Sequence, residues 1–152
     1  MTIELTKEQF ANIIRSVCIA NDILGVLSDM VSEKYNKRAD EIEELKKYLL
    51  HCAEENNYSE VFDYYYGDII VNDYISDEAD EIREEYEEFI FWDELEYRLA
   101  NRDLEKTLSE EEKKSVFEDY LLYFKKLKEF SQKYSQEFMT RGIERLYIKN
   151  KA

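Results

Sequence analysis

The feature that most constrains this chain is its lack of turn-forming residues. Its 152 residues include no proline and only three glycines. Turn-rich β folds need those residues at their corners, because Gly reaches positive φ angles and Pro presets the bend. Helices have no such need, and the abundant Glu, Lys and Leu are good helix formers. The sequence therefore predicts an all-α fold, with 44% hydrophobic residues available for a core.

Hydrophobic residues recur at helical spacing along most of the chain. They predict helices at about 7–35, 39–55, 77–105 and 110–147. Two capping boxes, Thr6 with Gln9 and Ser109 with Glu112, support two of the helix starts. We expect one irregular helical bundle of about five helices in a single domain, 1–152, whose long C-terminal helices lie antiparallel because their connection is short.

The region 58–75 has no clear helical period. It contains three consecutive tyrosines, then Gly67, then the run Ile69–Val71. An isolated strand without a partner gains no stability, so a strand at Ile69–Val71 is disfavoured. We interpret the region as a short helix or an irregular packed segment.

The net charge of −15 is unevenly distributed. Between residues 54 and 96 the chain has 17 acidic residues and one basic residue, Arg83, whereas 113–152 has 10 basic and 5 acidic residues. An acidic surface repels nucleic acids and anionic lipids and favours basic protein surfaces. The charge therefore argues against direct nucleic-acid binding and predicts a basic partner protein.

Like charges stand four residues apart along the predicted third long helix, as in Asp77 with Glu81 and Glu84 with Glu88. Each such pair costs a few tenths of a kcal/mol. Either the acidic segment is a solvated face, partly neutralised by the basic last helix, or it is a binding surface. The binding hypothesis predicts these contact residues: Asp77, Asp80, Glu81, Glu84, Glu85, Glu88, Tyr64 and Tyr65. The chain would then be a non-catalytic protein-binding module, in its sharpest form an inhibitor or nucleic-acid mimic.

An alternative is an enzyme. The sequence Glu84-Glu85-x-x-Glu88 resembles the E-E-x-x-E half-motif of the all-α nucleoside triphosphate pyrophosphohydrolases of the MazG type. The resemblance covers five residues and implies a Mg²⁺-dependent nucleotide hydrolase with Glu84, Glu85 and Glu88 as metal ligands. The partner motif E-x-x-D on a following helix is missing: residues 90, 100 and 116, three before the later aspartates, are Ile, Ala and Val.

Other chemistry has little support in the sequence. The single histidine, His51, and the two cysteines, Cys18 and Cys52, lack zinc-site spacing, and no phosphate-binding loop or nucleophile-elbow motif occurs. We therefore predict no catalytic residue and no cofactor, and free thiols as in a reducing compartment.

The N-terminal sequence lacks the basic and apolar regions of a signal peptide. The sequence also contains no continuous apolar run of the ~20 residues that span a bilayer. We expect a cytoplasmic protein without membrane contact. A purely structural role, with homodimer formation, is the third hypothesis.

Overall fold

A computed structural model describes residues 3–147, except for the side chain of Phe117. Within that range the chain folds into five α-helices and one β-hairpin. The elements are α1 (Lys7–Val26), α2 (Asn36–Glu55), β1 (Phe62–Tyr65), β2 (Asp68–Val71), α3 (Asp73–Thr107), α4 (Glu110–Glu118) and α5 (Tyr120–Arg141). The predicted all-α helical bundle of about five helices is confirmed. The antiparallel direction of the long C-terminal helices stays a prediction.

The chain divides into two compact units, Met1–Tyr86 and Glu87–Ala152. The first unit contains α1, α2, the hairpin and the start of α3, and the second contains the rest of α3 with α4 and α5. The single-domain organisation stays a prediction.

The core of the first unit forms where α1, α2, the hairpin and the start of α3 meet. The predicted capping box starts α1, because the Thr6 hydroxyl accepts from the Gln9 amide and the Gln9 side chain accepts from the Thr6 amide. The buried cluster comprises Ala11, Ile14, Cys18, Leu50, Ala53, Tyr58, Val61, Phe62, Ile75 and Ala79.

The first predicted helix, at about 7–35, is divided in the structure. After α1 the winding changes to a π-helical turn, Leu27–Val31, and then a 3₁₀ turn, Glu33–Tyr35. Met30, inside this π-helical turn, is 82% exposed.

The prediction for residues 58–75 was wrong. Strands β1 and β2 pair antiparallel, with Phe62 opposite Val71 and Tyr65 opposite Asp68. The two residues between the strands, Tyr66 and Gly67, have φ angles of 50° and 94°. Positive φ at both positions gives the turn a twist that matches a hairpin. The tyrosine run thus supplies the partner strand that the sequence reading considered missing.

In the second unit, the predicted helix 110–147 is two helices. The Ser109–Glu112 capping box starts α4 as predicted. Asp119 then takes an extended conformation, and its carboxylate accepts from the amides of Leu121 and Leu122, which begins α5. The break at Asp119 thus lies inside the segment predicted as one helix, and α5 ends at Arg141, before the predicted end at about 147. The buried cluster comprises Ala100, Leu104, Leu108, Val116 and Leu127.

One segment of the described chain, Lys7–Val31, is helical, long and apolar enough to cross a membrane by length and composition alone. Its most apolar window has a mean hydropathy of 1.5. Core helices of soluble proteins and signal sequences meet the same criterion, and Ile14, Val17 and Cys18 of this segment are buried. The expectations of no membrane contact and of a cytoplasmic location stay predictions.

Candidate acidic binding face

Helix α3 begins at Asp73, earlier than predicted, and its start fixes the orientation of the acidic residues. The Asn72 side chain accepts from the Ile75 amide at 3.0 Å and donates to the Glu60 carbonyl at 2.7 Å. Ile75 and Ala79 are buried in the first-unit core, 2% and 1% exposed. The start of α3 therefore packs against the first-unit core through the side that carries Ile75 and Ala79.

Three acidic residues, Asp77, Glu81 and Glu84, lie on the opposite side of α3, and Glu85 lies at the edge of that side, about 80° from Ile75. At about 100° per residue, Asp77, Glu81 and Glu84 fall within roughly 60° of one another and about 160° from Ile75 or Ala79. Asp77, Glu81, Glu84 and Glu85 are all exposed. We call these four residues the acidic face.

Two further predicted residues, Asp80 and Glu88, have partners within the protein. The Asp80 carboxylate lies 3.3 Å from the Arg83 guanidinium, which also lies 3.9 Å from Glu84. Glu88 is exposed in the second unit, and its carboxylate accepts from the Trp92 indole N–H at 2.6 Å. Asp80 therefore belongs to a local ion pair at the border of the acidic face.

The two predicted tyrosines lie on β1 and not on α3. Tyr64 and Tyr65 are exposed. The Tyr64 hydroxyl donates to the Glu54 carboxylate at 2.5 Å, and this bond lowers the pKa of Glu54 and raises the pKa of Tyr64. Tyr65 contacts Tyr66 edge to face. Tyr64 thus joins the hairpin to the end of α2.

The tyrosine that shares the side of the acidic face is Tyr74, three residues before Asp77. It is 64% exposed, and its hydroxyl donates to the Glu78 carboxylate at 2.8 Å. Tyr74 was absent from the predicted contact residues, although its i,i+3 spacing to Asp77 was a usable signal.

An ion pair between distant parts of the sequence anchors this end of α3 to α1. The Arg15 guanidinium binds the Glu78 carboxylate, and its other end contacts the Asn12 side chain at 2.8 Å. The hydrogen bond from Tyr74, followed by Arg15, lowers the pKa of Glu78. Glu78 therefore stabilises the packing of α3 against α1. The sequence alone did not predict that Arg15 makes this contact.

Four arginines of the second unit lie close to nearby carboxylates. Arg98 lies 2.9 Å from Glu94, and Arg102 lies 2.8 Å from Asp103. Arg141 and Arg145 lie 3.9 and 3.5 Å from Glu137. These local pairs involve acidic residues other than those of the acidic face.

The predicted metal ligands of the enzyme alternative, Glu84, Glu85 and Glu88, follow one another on the exposed part of α3. Among the residues that the structure describes, no group of three or more His, Cys, Asp or Glu side chains is arranged to hold a metal ion. The geometry therefore adds no support to a Mg²⁺-dependent hydrolase.

A cleft of about 630 Å³ opens within the first unit, lined by residues of α1, α2, the hairpin and α3. Its lining combines buried apolar residues such as Leu50 and Ala79 with charged side chains such as Asp22 and Lys46. The cleft could not be predicted from the sequence, because four elements from distant parts of the chain form it.

No protein-family model, no curated protein and no solved structure matches this chain.

Proposed function

We propose that the protein is a non-catalytic binding module whose acidic face docks on a basic surface of a partner protein. The observation that carries this proposal is the position of the acidic face on α3: Asp77, Glu81 and Glu84 are exposed on the side opposite the buried Ile75 and Ala79, and the exposed Glu85 lies at the edge of that side.

The electrostatics of the face favour this role. Asp77 with Glu81, and Glu81 with Glu85, are like-charged i,i+4 pairs, and each costs a few tenths of a kcal/mol in the isolated helix. A basic partner would remove that repulsion and gain charge-assisted contacts. Salt would weaken such an interface, because the Debye length falls to ~3 Å at 1 M salt.

Tyr74 adds an apolar contact to the charged face. Tyrosine is enriched in protein interfaces, since its ring supplies area and its hydroxyl stays hydrated or bonded. The Arg15–Glu78–Tyr74 contacts hold this ring near the start of α3, which reduces the ordering cost of binding.

In its sharpest form, the acidic face occupies a nucleic-acid groove on the partner. A row of carboxylates along a rigid helix presents negative charge as a phosphate backbone does, and such grooves are basic. The protein would then compete with nucleic acid for its partner.

The test is a capture experiment with the tagged full chain in cell lysate at low and high salt. The face variant carries Asp77→Lys, Glu81→Lys and Glu85→Lys, and leaves Glu84 and Asp80 beside Arg83 intact. The control variant carries Asp40→Lys, Glu44→Lys and Glu55→Lys, three exposed carboxylates of α2. Both variants change the net charge equally.

We expect the wild type and the control variant to capture the same basic protein at low salt and the face variant to lose it. Added nucleic acid should release the captured protein if the interface imitates a phosphate backbone. Equal loss of capture by the two variants would show that net charge, and not the acidic face, determines binding, and full capture by both would show that the acidic face is not the interface.

A further inference from the structure

The β-hairpin of the first unit is a two-stranded sheet, so each strand has one edge without a strand partner. Opposed residues in an antiparallel pair alternate between pairs that exchange both backbone hydrogen bonds and pairs that exchange none. The Asn72 amide donates to the Val61 carbonyl at 3.2 Å, next to the opposed pair Phe62 and Val71. By this alternation, the N–H and C=O groups of Val71 and Ile69 point away from β1, towards the outer edge of β2.

The outer edge of β2 is unpaired in the part of the chain that the structure describes. Within residues 3–147, no hydrogen bond from outside the hairpin reaches the backbone N–H or C=O group of Ile69 or Val71. Unpaired backbone groups along a strand edge are a template for pairing with another strand. The edge therefore offers a further strand two donors and two acceptors.

This edge borders the first-unit cleft, whose volume is about 630 Å³. Every residue of β2, Asp68–Val71, lines the cleft, whereas the described residues of β1 contribute only Tyr64. Successive side chains of a strand point to opposite faces, so a cleft that touches residues of both faces runs along the strand edge. The open space thus lies where a third strand would pair with β2, over a length of about 13 Å at ~3.3 Å per residue.

A strand in this position would have different surroundings on its two faces. On one face, Ile69 and Val71 pack against the buried cluster that includes Leu50 and Ala79, and all four residues line the cleft. On the other face, Asp68 is exposed and forms no ion pair with the described residues. Alternate residues of the strand would therefore contact an apolar wall and a carboxylate, beside which a basic side chain forms a favourable cross-strand pair.

We propose that the cleft binds an extended peptide segment of a partner protein, which adds to the outer edge of β2 as a third strand. The backbone of the segment bonds to Ile69 and Val71. Its apolar side chains, at every second position, lie against Leu50 and Ala79, and a basic side chain between them lies beside Asp68. In such strand addition, main-chain hydrogen bonds supply affinity and alternate side chains supply specificity. The site is separate from the acidic face, so either proposal can fail without the other.

The first test is amide hydrogen exchange, measured by NMR on the full chain with the peptide acetyl-Thr-Val-Thr-Val-Thr-Val-amide. This neutral probe has no charge attraction to the acidic face. The amides of Ile69 and Val71 should exchange rapidly in the free protein and about tenfold or more slowly with saturating peptide. The Ile70 amide, which faces Asp63 within the hairpin, should be protected in both states. Unchanged exchange of Ile69 and Val71 at millimolar peptide would overturn the proposal.

A second copy of this chain is the other occupant that the exchange experiment detects. If two copies paired through β2, the amides of Ile69 and Val71 would be protected without peptide, and their protection would increase with protein concentration. That result would overturn the proposal of a peptide partner.

Two N-methylated forms of the peptide are matched controls for the backbone contact. Each edge of an extended chain carries the N–H groups of alternate residues, so methylation of the valine amides and methylation of the threonine amides block opposite edges. We expect one form to bind as the unmodified peptide does and the other to lose binding. Equal affinities of the two methylated forms would show that the peptide does not add as a strand, which overturns the proposal.

A third peptide, with lysine in place of threonine, tests the contact with Asp68. The wild type should bind it about threefold or more tightly than the neutral peptide. Asp68→Asn should remove this preference. Asp63→Asn, an exposed carboxylate on the same face of β1, should retain it, because Asp63 lies one strand further from the docked segment. Equal preferences of the two variants would contradict the position of the segment beside β2.

Discussion

At the tip of the hairpin, Gly67 has a φ angle of 94°, a conformation that costs an L side chain free energy. Gly25, by contrast, lies inside α1 with open space around the position of a Cβ atom. We expect Gly67→Ala to lower the free energy of unfolding by about 1 kcal/mol. Gly25→Ala should raise it by roughly 0.5–1 kcal/mol, because Ala is the better helix former. Urea denaturation of the two variants measures both values, and a loss of stability in Gly25→Ala would contradict the helical environment.

Tyr123 provides a prediction of pH dependence. Burial, followed by the hydrogen bond with Tyr97, raises the pKa of Tyr123 from 10.0 to about 12. Because the folded protein favours the neutral phenol, the stabilisation is complete below pH 10 and is lost as the pH rises from 10 towards 12. At pH 11 an ordinary tyrosine is about 90% ionised, so Tyr123 should still be mostly protonated.

The measurement for Tyr123 is a tyrosinate absorbance titration of the wild type and the Tyr123→Phe variant. Their difference should titrate near pH 12. A difference that titrates near pH 10 would show that the phenol is not shielded as the structure describes.

Among the helices, α5 depends most visibly on a single capping residue. The Asp119 carboxylate accepts from the amides of Leu121 and Leu122 at 3.0 and 3.1 Å. Asp119→Ala should cost about 1 kcal/mol of stability, whereas Asp119→Asn should retain most of it, because Asn caps comparably. The neighbouring Glu118→Ala, at an exposed site, is the control and should stay within about 0.5 kcal/mol of the wild type. Equal effects of Asp119→Ala and Glu118→Ala in thermal denaturation would contradict the capping role.

The elements that the sequence predicted well are those determined locally. The capping boxes at Thr6 and Ser109 each lie within four residues, so their start signals are readable without tertiary information. The hairpin was missed because Tyr64 and Tyr65 were interpreted as interface candidates, while the strand partner of Ile69 and Ile70 was considered absent. Pairing across the Tyr66–Gly67 turn supplies that partner.

The helical period of α3 was predicted, but its buried side was not. Ile82, Tyr86 and Phe89 follow the helical spacing of an apolar stripe, yet all three are exposed. The buried contacts of the first unit come instead from Ile75 and Ala79. Helical spacing in the sequence identifies a stripe of apolar residues, but the burial of that stripe depends on which elements pack against it.

At the scale of the whole molecule, the charge asymmetry was available from the sequence, and the position of the charges on α3 followed from helical geometry. The contacts that fix the position of α3 could not be predicted from the sequence. Arg15 and Glu78 are 63 residues apart in the chain, and neither spacing nor composition predicts such a pair. The cleft bordered by Asp22 and Glu54 was unpredictable for the same reason.

The central claim is that the acidic face of α3 binds a basic partner protein. Its most direct test is the affinity of the captured partner for the wild type, the face variant and the control variant, measured over a series of salt concentrations. We expect the wild type and the control variant to bind the partner with equal affinity, and both affinities to fall as the salt concentration increases. The face variant should bind at least about tenfold more weakly at low salt, because a tenfold change corresponds to only ~1.4 kcal/mol. Equal affinities of the face and control variants, or binding that does not depend on salt, would contradict it.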